Sequence, residues 1–95
     1  MFKEEPNRFY LVGENNNLHA EIAYTNLGDG IYIIEHTYVE PSHQGQGIAK
    51  KLVLAVVEKA RMENKKIVPL CPFANAEFER NLQYQDVRKW NFYNF

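Results

Sequence analysis

Residues 39–52 read Val-Glu-Pro-Ser-His-Gln-Gly-Gln-Gly-Ile-Ala-Lys-Lys-Leu and join a predicted strand to a predicted helix through a polar turn. The first amides of a helix have no partner within the helix and lie at the positive end of its dipole. Gly45 and Gly47 have no side chains to keep an anion away from these amides. The sequence therefore predicts a phosphate-binding turn at the start of the helix.

The patterns on either side of this turn predict a strand, a helix and a second strand. Residues 31–39 are rich in β-branched and aromatic side chains, which favour a central strand, and Pro41 ends it. Apolar residues follow helical spacing from about 46 to 64, and a short apolar run covers 67–70. We expect these elements to form a right-handed βαβ unit whose outer strands are parallel.

The segment before this unit predicts antiparallel strands. Residues 9–12 are apolar, and apolar and polar residues alternate over much of 18–25. The Gly-Glu-Asn-Asn-Asn stretch at 13–17 favours a hairpin between them, and the glycine-containing stretch at 26–30 favours a second reversal. The first strands should therefore form the antiparallel part of a mixed sheet.

The segment after the unit begins at Cys71-Pro72. Residues 73–80 predict a short second helix with Asn81 as its C-cap. The tail from 83 to 95 is rich in aromatic residues, and we expect it to dock on the sheet. The predicted fold is a mixed α+β or α/β sheet with antiparallel N-terminal strands, a βαβ unit with splayed parallel strands and a short second helix, in one domain over residues 1–95.

The composition excludes several classes of protein. A net charge of −1 gives no reason to expect nucleic-acid binding. The longest aliphatic run, at 52–57, is far shorter than the roughly 20 residues of a membrane-spanning helix. Cys71 is the only cysteine, so no intramolecular disulfide can form and a reducing, cytoplasmic setting is expected.

The predicted long helix and the residues after it are locally basic, although the chain as a whole is not. Its basic residues are Lys50, Lys51, Lys59, Arg61, Lys65 and Lys66. Such a surface is either an ordinary solvated helix face or a region that attracts phosphate, and the residues alone leave both interpretations open.

The phosphate-binding motifs of nucleotide-binding proteins do not fit the turn. A P-loop requires Gly-Lys-Ser/Thr, which the sequence lacks, and the dinucleotide fingerprint GxGxxG is broken by Lys50 in place of the third glycine. The turn instead resembles the acetyl-CoA pyrophosphate loop of the GNAT superfamily of N-acetyltransferases, whose pattern is Gln/Arg-x-x-Gly-x-Gly/Ala. Here it reads Gln44-Gly45-Gln46-Gly47-Ile48-Ala49.

The resemblance extends to the flanks of the loop and covers roughly residues 18–87. Small GNAT-like proteins of about this length have a His-Thr-x-Val strand before the loop and a Cys-Pro pair after the next strand. His36-Thr37-Tyr38-Val39 and Cys71-Pro72-Phe73 match these two motifs. The ordered set of three motifs is much more specific than the loop alone.

The resemblance implies that backbone amides from about Gln44 to Ala49 hold the CoA pyrophosphate. It also implies that the pantetheine arm lies between two splayed strands, which end near Val39 and Cys71. An arm that carries amides would pair with the edge of the 36–40 segment as an added strand does. The residues implied in binding acetyl-CoA are Thr37, Tyr38, Val39, Gln44, Gly45, Gln46, Gly47, Ile48, Ala49, Lys50 and Asn75.

Three side chains are candidates for catalysis: Glu35, His36 and Cys71. Glu35 and His36 are neighbours on a strand, so regular alternation predicts that they point to opposite faces. The resemblance favours His36 as the base, because histidine titrates near neutral pH and matches the small group's motif; a structural histidine is the alternative. Cys71 either forms an acetyl-cysteine or packs as a wall of the pocket.

The segment after the second parallel strand departs from the larger enzymes that the chain resembles. Those enzymes have an Asn that contacts CoA, for which Asn75 is the match, and then a Tyr that protonates the CoA thiolate. Phe78 stands near the position of that hydroxyl, and Tyr84 is the available substitute. We also expect no room in 95 residues for the N-terminal helices and extra C-terminal strands with which larger relatives grip their acceptors, so the acceptor site is expected to be shallow, supplied by a partner, or absent.

The resemblance implies a minimal acetyl-CoA-dependent N-acetyltransferase whose acceptor is an amine, either a small molecule or a protein lysine. The alternative is a non-catalytic acyl-CoA-binding or protein-interaction module of the same fold. The three histidines and Cys71 show no local metal-ligand spacing, so no metal site is predicted. No nucleic-acid or membrane partner is expected.

Overall fold

The computed structural model describes residues 2–90, in which five strands form one mixed sheet in chain order. The strands are β1 (Lys3–Glu5), β2 (Arg8–Val12), β3 (Leu18–Gly28), β4 (Ile31–Val39) and β5 (Lys66–Pro69). The helices are α1 (Ile48–Glu63) and α2 (Pro72–Arg80), and short 3₁₀ helices cover Glu14–Asn16, Pro41–His43 and Leu82–Val87. In this part of the chain neither α-helix is long and apolar enough to cross a membrane.

The order and type of the predicted elements are confirmed. Strands β1 to β4 pair antiparallel in succession, and β4 pairs parallel with β5, which gives the expected mixed sheet. Strand β1 is an addition: Lys3–Glu5 is charged and has no alternating apolar pattern that could have predicted it. It forms because a two-residue turn at 6–7 folds it back onto β2.

A β-bulge interrupts the pairing of β3 with β4. Tyr24 lies opposite Ile34 and Ala23 lies opposite His36, so one step along β3 matches two steps along β4, and Glu35 is the extra residue. Because side chains alternate with a period of two, an extra residue exchanges the faces of everything beyond it. The regular alternation assumed between Glu35 and His36 is therefore wrong at this point.

The bulge decides which β4 side chains face the core. Residues directly opposite in a pair share a face, and Thr37 lies opposite Ile22 on the face that packs against α1. His36 lies opposite Ala23, on the other face. Without the bulge, His36 would follow Ile34 into the core.

The parallel strands β4 and β5 pair over only part of their length. Their register begins at Ile31 opposite Lys66 and ends at Ile34 opposite Pro69. The backbone amides of Leu70 and Cys71 both donate to the Ile34 carbonyl, at 3.0 Å each, so the chain after β5 turns at this point. Strand β4 continues to Val39 without β5 beside it, which leaves a cleft at the carboxyl end of the parallel pair.

The core lies between α1 and one face of the sheet. The apolar stripe of α1 is fully buried against side chains of β3, β4 and β5. The members of this stripe are Leu52, Val53, Val56, Val57 and Ala60. Since α1 covers this face, the site at its N-terminus is held in a fixed position relative to the cleft.

The segment after α2 docks on the sheet up to residue 89, whereas Trp90, which was expected to dock with the other aromatic residues of the tail, is 69% exposed. Tyr84 and Val87 are buried, and Arg88 forms a parallel bridge with Ile67 of β5. Asp86 binds the Arg61 guanidinium at 2.9 Å and ties the segment to α1. The predicted contributions of Phe92, Tyr93 and Phe95 lie outside the described residues.

We expect Leu52→Ala to lower the free energy of unfolding by about 2–5 kcal/mol, because it removes a fully buried side chain from α1 and leaves a cavity. Leu82→Ala is the matched control, since Leu82 is 80% exposed and should change stability by less than about 0.5 kcal/mol. Urea denaturation of both variants measures the difference. Equal losses would contradict the packing described above.

Candidate functional site

The loop between β4 and α1 is held in one conformation by local hydrogen bonds. Gln44 closes a 3₁₀ turn through its backbone amide, which donates to the Pro41 carbonyl at 3.3 Å, and its side chain donates to the Val39 carbonyl at 3.0 Å. Gly45 and Gly47 have φ of +84° and +75°. A Cβ at either glycine would meet no protein atom within 4 Å, so backbone conformation rather than crowding requires glycine.

The first turn of α1 offers unpartnered backbone amides. Gly47 is the N-cap, and it has no side chain to bind the amides of Ile48, Ala49 and Lys50. The first turn contains no acidic residue. With the helix dipole directed at this end, the loop is suited to bind an anion.

A cavity of about 190 Å³ lies against this turn. It is lined by Val39, His43, Gln44, Gly45, Gly47, Ile48, Ala49, Lys50 and Phe73. Most of the residues that the resemblance implies in binding are therefore brought together, while Thr37, Tyr38, Gln46 and Asn75 lie outside this lining. His43 and Phe73 were not predicted, although one lies within the loop and the other follows Cys71-Pro72.

The positive charge of α1 and its flank is concentrated at the loop. Lys59 pairs with Glu4 and Glu63, Lys65 pairs with Glu63, and Arg61 pairs with Asp86. Among the described residues, Lys50 and Lys51 form no such pairs. Carboxylates thus pair with Lys59, Arg61 and Lys65 in the distal part of the basic surface, where Lys66 donates to the Asp86 backbone carbonyl. The lysines nearest the cavity have no such carboxylate among the described residues.

The cleft beyond the last β4–β5 pair is bordered by Thr37 and Cys71. Thr37 Oγ1 lies 3.5 Å from Cys71 Sγ, within hydrogen-bonding distance. Cys71 is only 7% exposed and forms the N-cap of α2. Sequence reasoning placed Cys71 at the cleft but did not single out Thr37 as its neighbour, because the bulge that turns Thr37 to this face is not visible in the sequence.

His36 lies on the opposite face of the sheet from Thr37 and is well exposed. Its Nε2 is 4.0 Å from a carboxylate oxygen of Glu21, which lies two residues before Ala23, the β3 partner of His36, and therefore on the same face. The other oxygen of Glu21 accepts a hydrogen bond from Arg8 at 2.8 Å. His36 and Cys71 therefore border the cleft from different faces and do not form a side-chain pair of the kind that Thr37 and Cys71 form.

Two other predicted residues have structural partners. The Asn75 side-chain oxygen accepts a hydrogen bond from Arg88 at 2.9 Å. Tyr84 packs on the Phe78 ring, and burial raises the pKa of its hydroxyl above the usual value. The residues on either side of Tyr84 bind Arg61, through the Gln83 carbonyl and the Asp86 carboxylate. Tyr84 therefore lies by the second half of α1 rather than beside the loop, and it is poorly placed to protonate a thiolate in the cleft.

A histidine–glutamate cluster borders the loop. His19 on β3 binds the Glu40 carboxylate through Nδ1 at 2.5 Å, and the His43 ring stacks on the His19 ring with centroids 4.1 Å apart. Hydrogen bonds from Ser42, and next from His19, hold the pKa of Glu40 below its usual range. The cluster could not be predicted from the spacing of these residues in the sequence. His19 and Glu40 are brought together by the pairing of β3 with β4, in which Ala20 lies opposite Val39.

Comparison with known proteins identifies the family. The model of GCN5-related N-acetyltransferases matches residues 8–87, which include the sheet from β2 onward, the loop and both helices. The chain belongs to this family. Members of the family use acetyl-CoA as the acetyl donor, which agrees with an anion-binding turn beside a cleft between parallel strands.

Individual relatives support this assignment. A solution structure of a GCN5-like protein from Staphylococcus aureus is 38% identical, covers 100% of this chain and 96% of its own, and has a TM-score of 0.78. An L-methionine sulfoximine/L-methionine sulfone acetyltransferase from Salmonella typhimurium is 35% identical over 61% of this chain. The match covers only 37% of the length of that protein. The ribosomal-protein-S18-alanine N-acetyltransferase of Escherichia coli is 15% identical with a TM-score of 0.61, and shares the fold.

We expect Gly47→Ala to lower the free energy of unfolding by about 1–2 kcal/mol, because alanine is strained at this left-handed position. Gly47→Asn is the matched variant and should lose less, since asparagine tolerates this conformation and already adopts it at Asn64. Chemical denaturation measures both. Equal stability of Gly47→Ala and the parent would contradict the loop conformation.

Proposed function

We propose that this chain is an acetyl-CoA-dependent N-acetyltransferase that transfers the acetyl group directly to an amine. The observation that carries the proposal is the cavity at the N-terminus of α1, where the amides of Ile48, Ala49 and Lys50 open toward the loop without a capping side chain. A pyrophosphate carries negative charge and several acceptor oxygens, which these amides and Lys50 complement.

The cleft supports binding of the pantetheine arm. Beyond Ile34 the β5-facing edge of β4 has no paired strand in the described part of the chain. A linear arm with two amides can pair with such an edge as an added strand does. The cavity reaches from the loop to Val39 and Phe73, so the arm would run from the pyrophosphate site toward Thr37 and Cys71.

In the reaction, the amine nitrogen forms a bond with the thioester carbonyl carbon, the carbon–sulfur bond breaks, and the CoA thiolate leaves. The attacking nitrogen must lose a proton, and the thiolate must gain one. His36 is the proposed acceptor of the first proton, with the Glu21 carboxylate 4.0 Å away to stabilise the imidazolium. Because α1 fills the opposite face, the amine would approach from the face that carries His36.

Cys71 is assigned to the wall of the acyl pocket in this proposal. Its side chain is nearly buried and its sulfur contacts Thr37, so an acyl group would pack against it without forming a bond. A covalent route would instead transfer the acetyl group to Cys71 Sγ, release CoA and then pass the acetyl group to the amine. Acetylation of the protein distinguishes the two routes.

We expect Lys50→Glu to weaken CoA binding about tenfold, because it places a negative charge at the cavity next to the proposed pyrophosphate position. Lys3→Glu makes the same change of charge on β1, at the opposite edge of the sheet, and should bind as the parent does. Isothermal titration calorimetry with CoA at low salt measures both. No binding by the parent at millimolar CoA would refute the proposed function.

We expect His36→Ala to lower kcat about a hundredfold or more, while Cys71→Ala keeps most of the turnover. Release of CoA thiol with a panel of small amines, polyamines and lysine peptides measures both. If Glu35→Gln loses turnover and His36→Ala keeps it, the assignment of His36 as the base is wrong. Detection of acetylated protein by mass spectrometry, together with loss of turnover in Cys71→Ala, would establish the covalent route. Binding of CoA without turnover on any amine would favour a non-catalytic acyl-CoA-binding module.

A further inference from the structure

We propose that His19, Glu40 and His43 form a binding site for a divalent transition-metal ion of the zinc class. The three side chains come from β3 and from the turn before α1, and one potential ligand atom of each lies within 4.8 Å of the others. Two imidazoles and one carboxylate are a ligand set that zinc takes, with water or another group in the fourth position.

The potential ligand atoms lie near one another but do not yet have the spacing of a tetrahedral site. His19 Nδ1 lies 2.5 Å from one oxygen of Glu40, and His43 Nδ1 lies 3.9 Å from the other. Ligand atoms about 2.0–2.1 Å from a tetrahedral ion are about 3.3 Å from one another. These two distances end on different oxygens of Glu40, so neither oxygen is yet shared by both imidazoles. With one ligand atom from each residue, the three atoms lie within 4.8 Å of one another. The widest pair must therefore close by at most about 1.5 Å, and the His19–Glu40 pair must open by about 0.8 Å, which side-chain rotations can supply.

The backbone around the cluster is already ordered. The Glu40 amide donates to the His19 carbonyl at 2.8 Å, and the His43 amide donates to the Glu40 carbonyl at 2.9 Å. The ligands therefore lose little backbone entropy when an ion binds. Each side chain is also between one fifth and one third exposed, which leaves access for an ion and a water ligand.

Neighbouring groups hold the ligands in place. The Ser42 hydroxyl donates to a Glu40 oxygen at 2.7 Å and lies 3.0 Å from His43 Nδ1. When an ion binds, Ser42 can keep its bond to the carboxylate and release the imidazole, so that it supports a ligand from outside. The His19 ring lies against Gly13, where an added Cβ would be 2.0 Å from Nε2, and the absence of a side chain there makes room for the ring.

The site would act on the neighbouring loop. His43 lines the cavity at the start of α1, and Glu40 begins the turn that leads to it. An ion bound to both and to His19 would cross-link the loop to β3. It would also add positive charge beside the proposed pyrophosphate position.

The test is a calorimetric titration of metal-free protein, prepared without a histidine tag, with Zn²⁺ alone. We expect one ion per chain, with affinity roughly tenfold or more lower in His43→Ala and in Glu40→Gln. His36→Ala is the matched control, since this histidine lies outside the cluster, and it should bind Zn²⁺ as the parent does. Circular dichroism confirms that each variant is folded.

Absence of saturable binding by the parent would overturn the site. Binding of Zn²⁺ by His43→Ala and Glu40→Gln with the affinity of the parent would also overturn it, because the ion would then lie elsewhere. The titration contains no CoA, so its outcome is independent of the proposed acetyl transfer. A second readout is the ¹⁵N spectrum of the imidazoles. The Nδ1 resonances of His19 and His43 should shift on addition of Zn²⁺ while those of His36 stay in place, and the opposite pattern would also overturn the site.

Discussion

The hydrogen bonds between β4 and β5 stop at Ile34 and Pro69, and the geometry of the site follows from that end point. Up to it, the strands are an ordinary parallel pair covered by α1. Beyond it, β4 runs on to Val39 with one free edge, and the chain after β5 turns into α2. This separation opens a cleft in the sheet while the core beneath it stays closed.

The bulge at Glu35 gives the cleft two different borders. On the α1 face, Thr37 and Cys71 are close together and poorly exposed to water, which suits a thioester and its acyl group. On the open face, His36 stands beside Glu21 and is exposed, which suits proton transfer from an incoming amine. One extra residue thus places the proposed acyl site and the proposed acceptor site on different faces of the sheet.

The charged side chains of α1 leave the helix most positive at its N-terminus, next to the loop. The acidic side chains Glu4, Glu63 and Asp86 neutralise the far part of α1 and its flank, and Lys50 and Lys51 remain beside the free amides of the first turn. The proposed negatively charged cosubstrate would therefore be attracted to this end of the helix. The neighbouring cluster of His19, Glu40 and His43 connects the same loop to β3.

Much of this could be predicted from sequence, because local patterns determine it. The helical stripe of α1, the glycines of the loop and Pro41 predict the strand–turn–helix unit and its anion-binding end. The bulge at Glu35 could not be predicted, since it depends on pairing with β3 rather than on the residues of β4 alone. Pairing with β3 also determines which faces His36 and Thr37 occupy and brings His19 beside Glu40, so the structure was needed to show both features.

The central claim is that the first turn of α1 binds the pyrophosphate of CoA, and amide NMR tests it most directly. On addition of CoA to ¹⁵N-labelled protein, the account predicts the largest shifts at Gly45, Gly47 and the amides from Ile48 to Lys50. Smaller shifts should follow along 35–39 as the pantetheine arm pairs with the free edge. Saturable CoA binding with unchanged amides in this turn, and shifts elsewhere, would contradict the account.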